Sequence, residues 1–174
     1  MKLGTWSREI RPAILPAVRT AVAAAVSVIA ARLIGLPEAH WAAISTLVVM
    51  QSTFRDTVAL SIQRTAGAAI GAVIGATESR YFGSNLVAFG VVIFLLGLVT
   101  AALRLEKPAN RYAGITLAII VLIPRATAPW IVAIHRFVEV TVGIVVALAF
   151  SAVWREGELS AAPIRPDDSK RNHA

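Results

Sequence analysis

The apolar stretch from residue 130 to residue 150 carries three side chains that could do chemistry, His135, Arg136 and Glu139. In a helix, Arg136 and Glu139 are three positions apart and His135 and Glu139 are four apart, so all three share one face and can pair. A charge near the bilayer centre costs at least about 2.5 to 3.5 kcal/mol, so such residues usually face protein or a cavity. We therefore predict an anion anchor at Arg136 and a proton-responsive pair of His135 and Glu139.

The length of this segment supports a second interpretation. Residues 129 to 154 form a longer stretch than a bilayer requires, so the first turns can lie among the lipid headgroups. Each of the three charges would then be hydrated on its own, without a binding role.

Three more residues, at the two ends of an earlier apolar stretch, are candidates for substrate contact. His40 and Trp41 follow Pro37 and Glu38, and because Trp favours membrane interfaces, this pair either anchors the helix there or contacts a substrate. Gln51 closes the same stretch, where it either lines a path or simply ends the helix. We include His40, Trp41 and Gln51 in the predicted substrate site.

The sequence lacks the residue groupings that enzymes and metalloproteins require. It has no cysteine, no phosphate-binding glycine loop with a lysine, no histidines at metal-ligand spacing and no nucleophile beside a base. We therefore expect no enzymatic activity, no cofactor and no metal site. Any transport would have to be driven by an ion gradient or by a partner.

The composition is that of a membrane protein. Hydrophobic residues make up 57% of the chain and charged residues only 16%, and the mean hydropathy is +0.71, so we expect the lipid bilayer to be the solvent. The net charge of +7 could indicate a nucleic-acid binder. The basic residues lie between the apolar blocks, however, without a basic face or interleaved aromatics, so we expect no nucleic-acid partner.

Turn residues and charges divide the apolar sequence into six blocks, which predict an all-α integral membrane protein with six transmembrane helices. The blocks cover residues 13 to 35, 37 to 52, 58 to 76, 85 to 104, 112 to 124 and 129 to 154. The second and fifth are shorter than the roughly 20 residues that a spanning helix needs. Each is therefore either a tilted helix among longer ones or a half-crossing, and four spans with two re-entrant segments is the alternative.

The predicted organisation is a cytoplasmic segment at 1–12, a six-helix transmembrane domain at 13–154 and a disordered cytoplasmic tail at 155–174. The first block has the basic lead of a signal peptide, but its apolar run is too long and five more blocks follow, so we expect a retained helix. The tail is polar and too short to form a domain.

The Lys and Arg residues predict the orientation in the membrane. With six spans, four of them fall on one side and thirteen on the other, which by the positive-inside rule puts both termini in the cytoplasm. The four are Arg32, Arg80, Arg125 and Arg136; the thirteen are Lys2, Arg8, Arg11, Arg19, Arg55, Arg64, Arg104, Lys107, Arg111, Arg155, Arg165, Lys170 and Arg171.

An internal repeat relates the two halves of the chain. HWAAISTLVV at 40–49 aligns with RYAGITLAII at 111–120. If the second half has one additional residue after this segment, Arg64 aligns with Arg136. Units of three spans must lie upside down relative to each other, so we predict a 3+3 inverted repeat, the architecture of many secondary transporters. Two matched arginines would be natural anchors for a carboxylate, although snorkelling to the interface also explains Arg64. A duplicated scaffold without transport fits the same repeat.

Gly67, Gly71 and Gly75 recur every four residues and form a smooth stripe on one helix face. Such a stripe allows close helix packing, either within the bundle or between copies. With several short helices around any pathway, we predict a homo-oligomer.

Residues 37 to 76 resemble the fusaric acid resistance and aromatic acid exporter family of bacterial inner-membrane proteins. The shared pattern is an aromatic HWA opening, VVMQ at the end of that helix, an FRDT turn, and then Arg64 followed by the spaced glycines. The likeness covers residues 13 to 154. It implies a six-helix module of the inner membrane and, as in characterised relatives, efflux of aromatic carboxylic acids.

The length of the sequence departs from the family pattern. Relatives commonly carry a cytoplasmic domain after the six helices and often a second membrane half, whereas this sequence ends about 20 residues after Trp154. We expect the module to self-associate or to work with another subunit, such as a periplasmic adaptor. Two functions stay open: an exporter of small aromatic or amphipathic organic anions, and a non-transporting scaffold or accessory subunit.

Overall fold

The structure, a computed structural model, describes residues 3–51, 53–123 and 126–160, with side chains described between residues 14 and 154. These residues form six helices and no strand. The helices are α1 (Leu3–Leu33), α2 (His40–Val49), α3 (Phe54–Tyr81), α4 (Leu86–Ala102), α5 (Lys107–Leu122) and α6 (Pro129–Ser160).

Local signals explain where several helices begin. At α3 the hydroxyl of Thr53 accepts a hydrogen bond from the Asp56 N–H at 3.2 Å and donates one to the Asp56 carboxylate at 2.6 Å, a reciprocal N-terminal cap. Asn85 caps α4 by accepting from the first free N–H groups of that helix. Gly35, with φ of +81°, makes the turn after α1, where a residue with a side chain would be strained.

The helix bounds differ from the predicted blocks in both directions. The second block was predicted at 37–52, but α2 covers only His40–Val49, because the chain turns at Gly35 before it and the Gln51 N–H bonds the Thr57 hydroxyl after it. Helices α1 and α6 extend beyond the predicted domain, into the segments 1–12 and 155–174. The part of the predicted tail at 161–174 lies outside the described residues.

Three segments are long and apolar enough to cross a membrane, namely Ile14–Leu33, Phe54–Tyr81 and Pro129–Trp154. His40–Val49 and Leu86–Ala102 are apolar but shorter. The helical membrane class predicted from composition therefore agrees with the structure.

Helix α3 is at the centre of the bundle and packs mainly against α5 and α6, while α2 packs against α6. The glycine stripe makes the contact with α5 close. A methyl group added to Gly71 would overlap the carbonyl oxygen of Ala113, and one at Gly67 would lie 2.5 Å from that of Ala109. The stripe thus packs inside the bundle.

The bundle has two ends that matter for function. We call the end where α3 begins the terminal end, since Thr57 in the first turn of α3 meets Ser151 of α6 there, and Ser151 in turn meets Arg19 of α1. We call the opposite end the loop end, since Glu38, which follows α1, meets the beginning of α6 there.

Candidate functional site

At the loop end, Arg136 of α6 is buried, with 2% of its surface exposed. Its Nη1 donates to the Glu139 carboxylate at 2.9 Å, and its Nη2 donates to the carboxylate of Glu38. Its guanidinium also stacks on the Trp41 ring, with Cζ 4.3 Å from the ring centre. Arg136 is therefore held by two carboxylates and an aromatic face.

Glu38 organises the loop-end site, although it was not among the site residues predicted from the sequence. Its N–H donates to Glu139 Oε1 at 3.1 Å, and its carboxylate accepts from Trp41 Nε1 at 3.0 Å. The same carboxylate lies 3.8 Å from Nε2 of His40, whose side chain is 63% exposed. An acidic residue at the start of the second predicted block, on the same predicted side of the membrane as Arg136, was the signal that could have identified it.

A cavity of about 260 Å³ opens beside these charges, lined by Pro37, Glu38, Thr127, Val132, His135, Arg136 and Glu139. The predicted pair of Arg136 and Glu139 is formed, three residues apart on α6. Among the described contacts, none joins His135 to Glu139, and the two residues share only the cavity wall. The structure thus brings together His40, Trp41, His135, Arg136 and Glu139 at one end of the bundle.

Arg64 of α3 lies in a different place and has a different environment. Its guanidinium stacks on Tyr112 of α5, with Cζ 4.7 Å from the ring centre. Only 3% of its surface is exposed, and its Nε is buried without a hydrogen-bond partner. No ion pair with a carboxylate is found for Arg64 among the described residues. Tyr112 was not among the predicted site residues, although the repeat aligned it with Trp41.

A third buried arginine, Arg19 of α1, lies at the terminal end. Its Nη2 donates to Ser151 Oγ at 2.7 Å, and Ser151 donates to Thr57 Oγ1 at 3.3 Å. From the sequence, Arg19 was counted only among the basic residues that predict the orientation in the membrane. Its position five residues inside the first spanning segment was the signal that it could be buried.

Gln51 also lies at the terminal end, and its amide contributes little to a site. Its backbone N–H donates to the Thr57 hydroxyl at 3.1 Å. Its side chain is exposed and donates only to the Val48 carbonyl, at 3.4 Å. Arg64 and Gln51 are thus separate from the five predicted residues of the loop-end site.

The two arginine–aromatic centres differ in their charge balance. At the loop end, the Arg136 guanidinium is paired with the carboxylates of Glu38 and Glu139, so these three described groups together carry no positive charge that could attract an anion. At the terminal end, Arg19 and Arg64 are accompanied by hydroxyl groups and, among the described residues, by no paired carboxylate. A buried guanidinium without a counter-ion is costly and favours an anionic ligand.

Comparison with known proteins identifies the chain at the level of its family. Searches of curated proteins and of solved structures found no significant match. A scan against protein families matched the description "Fusaric acid resistance protein-like" over residues 23–150, well over half of the chain. The matched range includes Glu38, Trp41, Arg64, Tyr112 and Arg136. The resemblance carried by residues 37 to 76 is thereby confirmed, and the chain belongs to the fusaric acid resistance protein-like family.

Proposed function

We propose that this protein is a multi-pass module of the bacterial inner membrane that exports aromatic or other amphipathic organic acids. Family membership supports a role in membrane transport, and the three long apolar helices support insertion in the membrane. The observation that carries the proposal is a pair of buried arginine–aromatic contacts exchanged between the two halves of the chain.

In each contact, an arginine from the third helix of one half stacks on a ring from the second helix of the other half. Arg64 of α3 lies on Tyr112 of α5, and Arg136 of α6 lies on Trp41 of α2. The repeat alignment pairs these same residues, Arg64 with Arg136 and Trp41 with Tyr112. The exchange supports two halves related by a 3+3 inverted repeat.

Glycine contacts follow the same exchange. A methyl group on Gly71 of α3 would overlap the carbonyl of Ala113 of α5, and one on Gly143 of α6 would overlap the carbonyl of Ala42 of α2. The alignment pairs Gly71 with Gly143 and Ala42 with Ala113. Two closely packed, oppositely oriented crossings suit a protein that alternates between inward-open and outward-open states.

The proposed topology has six spans, with the short helices α2, α4 and α5 packed among the long ones. The excess of Lys and Arg puts both termini, and with them the terminal end, on the cytoplasmic side. Apolar side chains such as Phe94 and Leu98 of α4 are more than half exposed, which suits contact with lipid or with another copy. We propose a homo-oligomer, with a periplasmic adaptor as a further partner at the loop end.

Flux through liposomes tests the proposal. Purified protein in liposomes preloaded with fluorescent salicylate should release it faster than protein-free liposomes, in at least one direction of an imposed proton gradient. Arg64→Gln should abolish this release, whereas Arg111→Gln, at an exposed position beside Tyr112, should not. Release equal to that of protein-free liposomes under every gradient would favour the non-transporting scaffold.

A further inference from the structure

A line of buried polar side chains leads from the terminal end along α3, and none of the described acidic residues pairs with it. Thr57, Ser61 and Arg64 share one face of α3, at intervals of four and three residues. Ser151 of α6 and Arg19 of α1 extend this line through hydrogen bonds of 3.3 and 2.7 Å. We call these five residues the terminal column. Each has at most 8% of its surface exposed.

Three donors of the terminal column have no hydrogen-bond partner among the described residues. These are Arg19 Nε, Ser61 Oγ and Arg64 Nε, all buried. Ser61 and Arg64 are one helical turn apart on the same face, so a ligand that accepts from one is within reach of the other. Buried donors are almost always satisfied in folded proteins, so these three are the donors of the terminal column that can bind an added acceptor.

The loop end shows how the same arrangement looks when the anion is present. There the guanidinium of Arg136 has the carboxylates of Glu38 and Glu139 as partners. The repeat aligns Glu38 with Ala109 and Glu139 with Gly67. Ala109 and Gly67 pack directly against each other. Among the described residues, carboxylates thus pair with the guanidinium of Arg136 and none pairs with that of Arg64.

We propose that the terminal column binds one organic carboxylate per chain, with Arg64 as its anchor and the Ser61 hydroxyl as a second donor. The guanidinium fork fits a carboxylate, and the Ser61 hydroxyl, one helical turn away, can donate to the same carboxylate. Arg136 does not take a ligand carboxylate in this conformation, since Glu38 and Glu139 already bind it. The assignment rests on the proposed function for its meaning in transport, but the binding itself can be measured without transport.

Binding of salicylate to the purified protein in detergent, measured by calorimetry and by thermal shift, tests the assignment. We expect one salicylate per chain, a raised melting temperature, and no effect of the uncharged analogue salicyl alcohol. Arg64→Gln should weaken binding about ten- to one-hundredfold, as for the loss of a charge-assisted hydrogen bond. It should also raise the melting temperature of the ligand-free protein, because it removes a buried charge without a counter-ion. A purely structural arginine would lower it.

Two milder comparisons keep the test decisive if Arg64→Gln does not fold. Ser61→Ala should weaken salicylate binding about two- to tenfold, and Arg111→Gln should leave it unchanged. Unchanged affinity in Arg64→Gln or Ser61→Ala, a stoichiometry of two, or equal binding of inorganic phosphate would overturn the assignment. If salicylate binds as expected but the protein gives no flux in liposomes, the exporter proposal is refuted and the assignment of the binding site is retained.

Discussion

Replacing Arg136 by glutamine should damage the protein more than replacing Arg136 and Glu139 together. The two side chains are 3% and 1% exposed and are joined at 2.9 Å, so neither is hydrated on its own. The single change removes the cation that is paired with Glu139 and leaves the Glu139 carboxylate buried. The double change puts two neutral amides in place of the ion pair.

The contacts set the magnitude of both effects. Arg136→Gln removes charge-assisted hydrogen bonds to Glu139 and Glu38, each worth about 1.5 to 3 kcal/mol, and strands a buried charge, so we expect a loss of about 3 to 5 kcal/mol. Adding Glu139→Gln should restore about 1 to 3 kcal/mol. Glu38 is affected less, because 30% of its side chain is exposed and water can solvate its carboxylate.

Unfolding of the two single variants, the double variant and the parent chain in detergent, followed by circular dichroism, measures this coupling. The headgroup interpretation of this segment makes the opposite prediction, because charges that are hydrated alone give mild and additive effects. Additivity within about 0.5 kcal/mol would therefore refute the buried pair. Retained helicity of each variant in the absence of denaturant is the control that all four chains fold.

Three further predictions concern packing, an unpaired acid and topology. Gly71→Leu should destabilise the bundle by at least about 1 to 3 kcal/mol, because the new side chain meets the Ala113 backbone. Gly90→Leu is the control and should have a mild effect, because nothing lies within 4 Å of an added Cβ there. Equal effects of the two changes in thermal unfolding would contradict the packing of the stripe. Glu78 is 2% exposed, and neither of its carboxylate oxygens has a hydrogen-bond partner among the described residues. Glu78→Met should therefore stabilise the protein by about 1 to 3 kcal/mol, and a lower melting temperature would show that the carboxylate has a partner in the folded protein. Reporter fusions after Trp154 should be active only as cytoplasmic reporters, and a periplasmic signal there would overturn the six-span count.

The sequence by itself determined features that depend on composition or on neighbours within a few positions. Its apolar blocks predicted a helical membrane protein, and the spacing of Arg136 and Glu139 predicted a pair that the structure forms, because residues three apart on a helix face each other whatever surrounds them. The motifs of residues 37 to 76 indicated the family that the scan confirms. The glycines of α3 predicted close packing, again from spacing on a single helix.

Only the tertiary structure decided which helix each of those faces meets. Periodicity along a helix defines a direction, but the partner in that direction depends on how the elements pack. Glu38 reaches Arg136 across 98 positions and Arg19 reaches Ser151 across 132, and no local pattern encodes either contact. The two arginines matched by the repeat therefore looked equivalent in sequence. They differ because packing brings two carboxylates to Arg136 and leaves Arg64 against a tyrosine ring, and the charge balance of a buried site is set by such long-range neighbours.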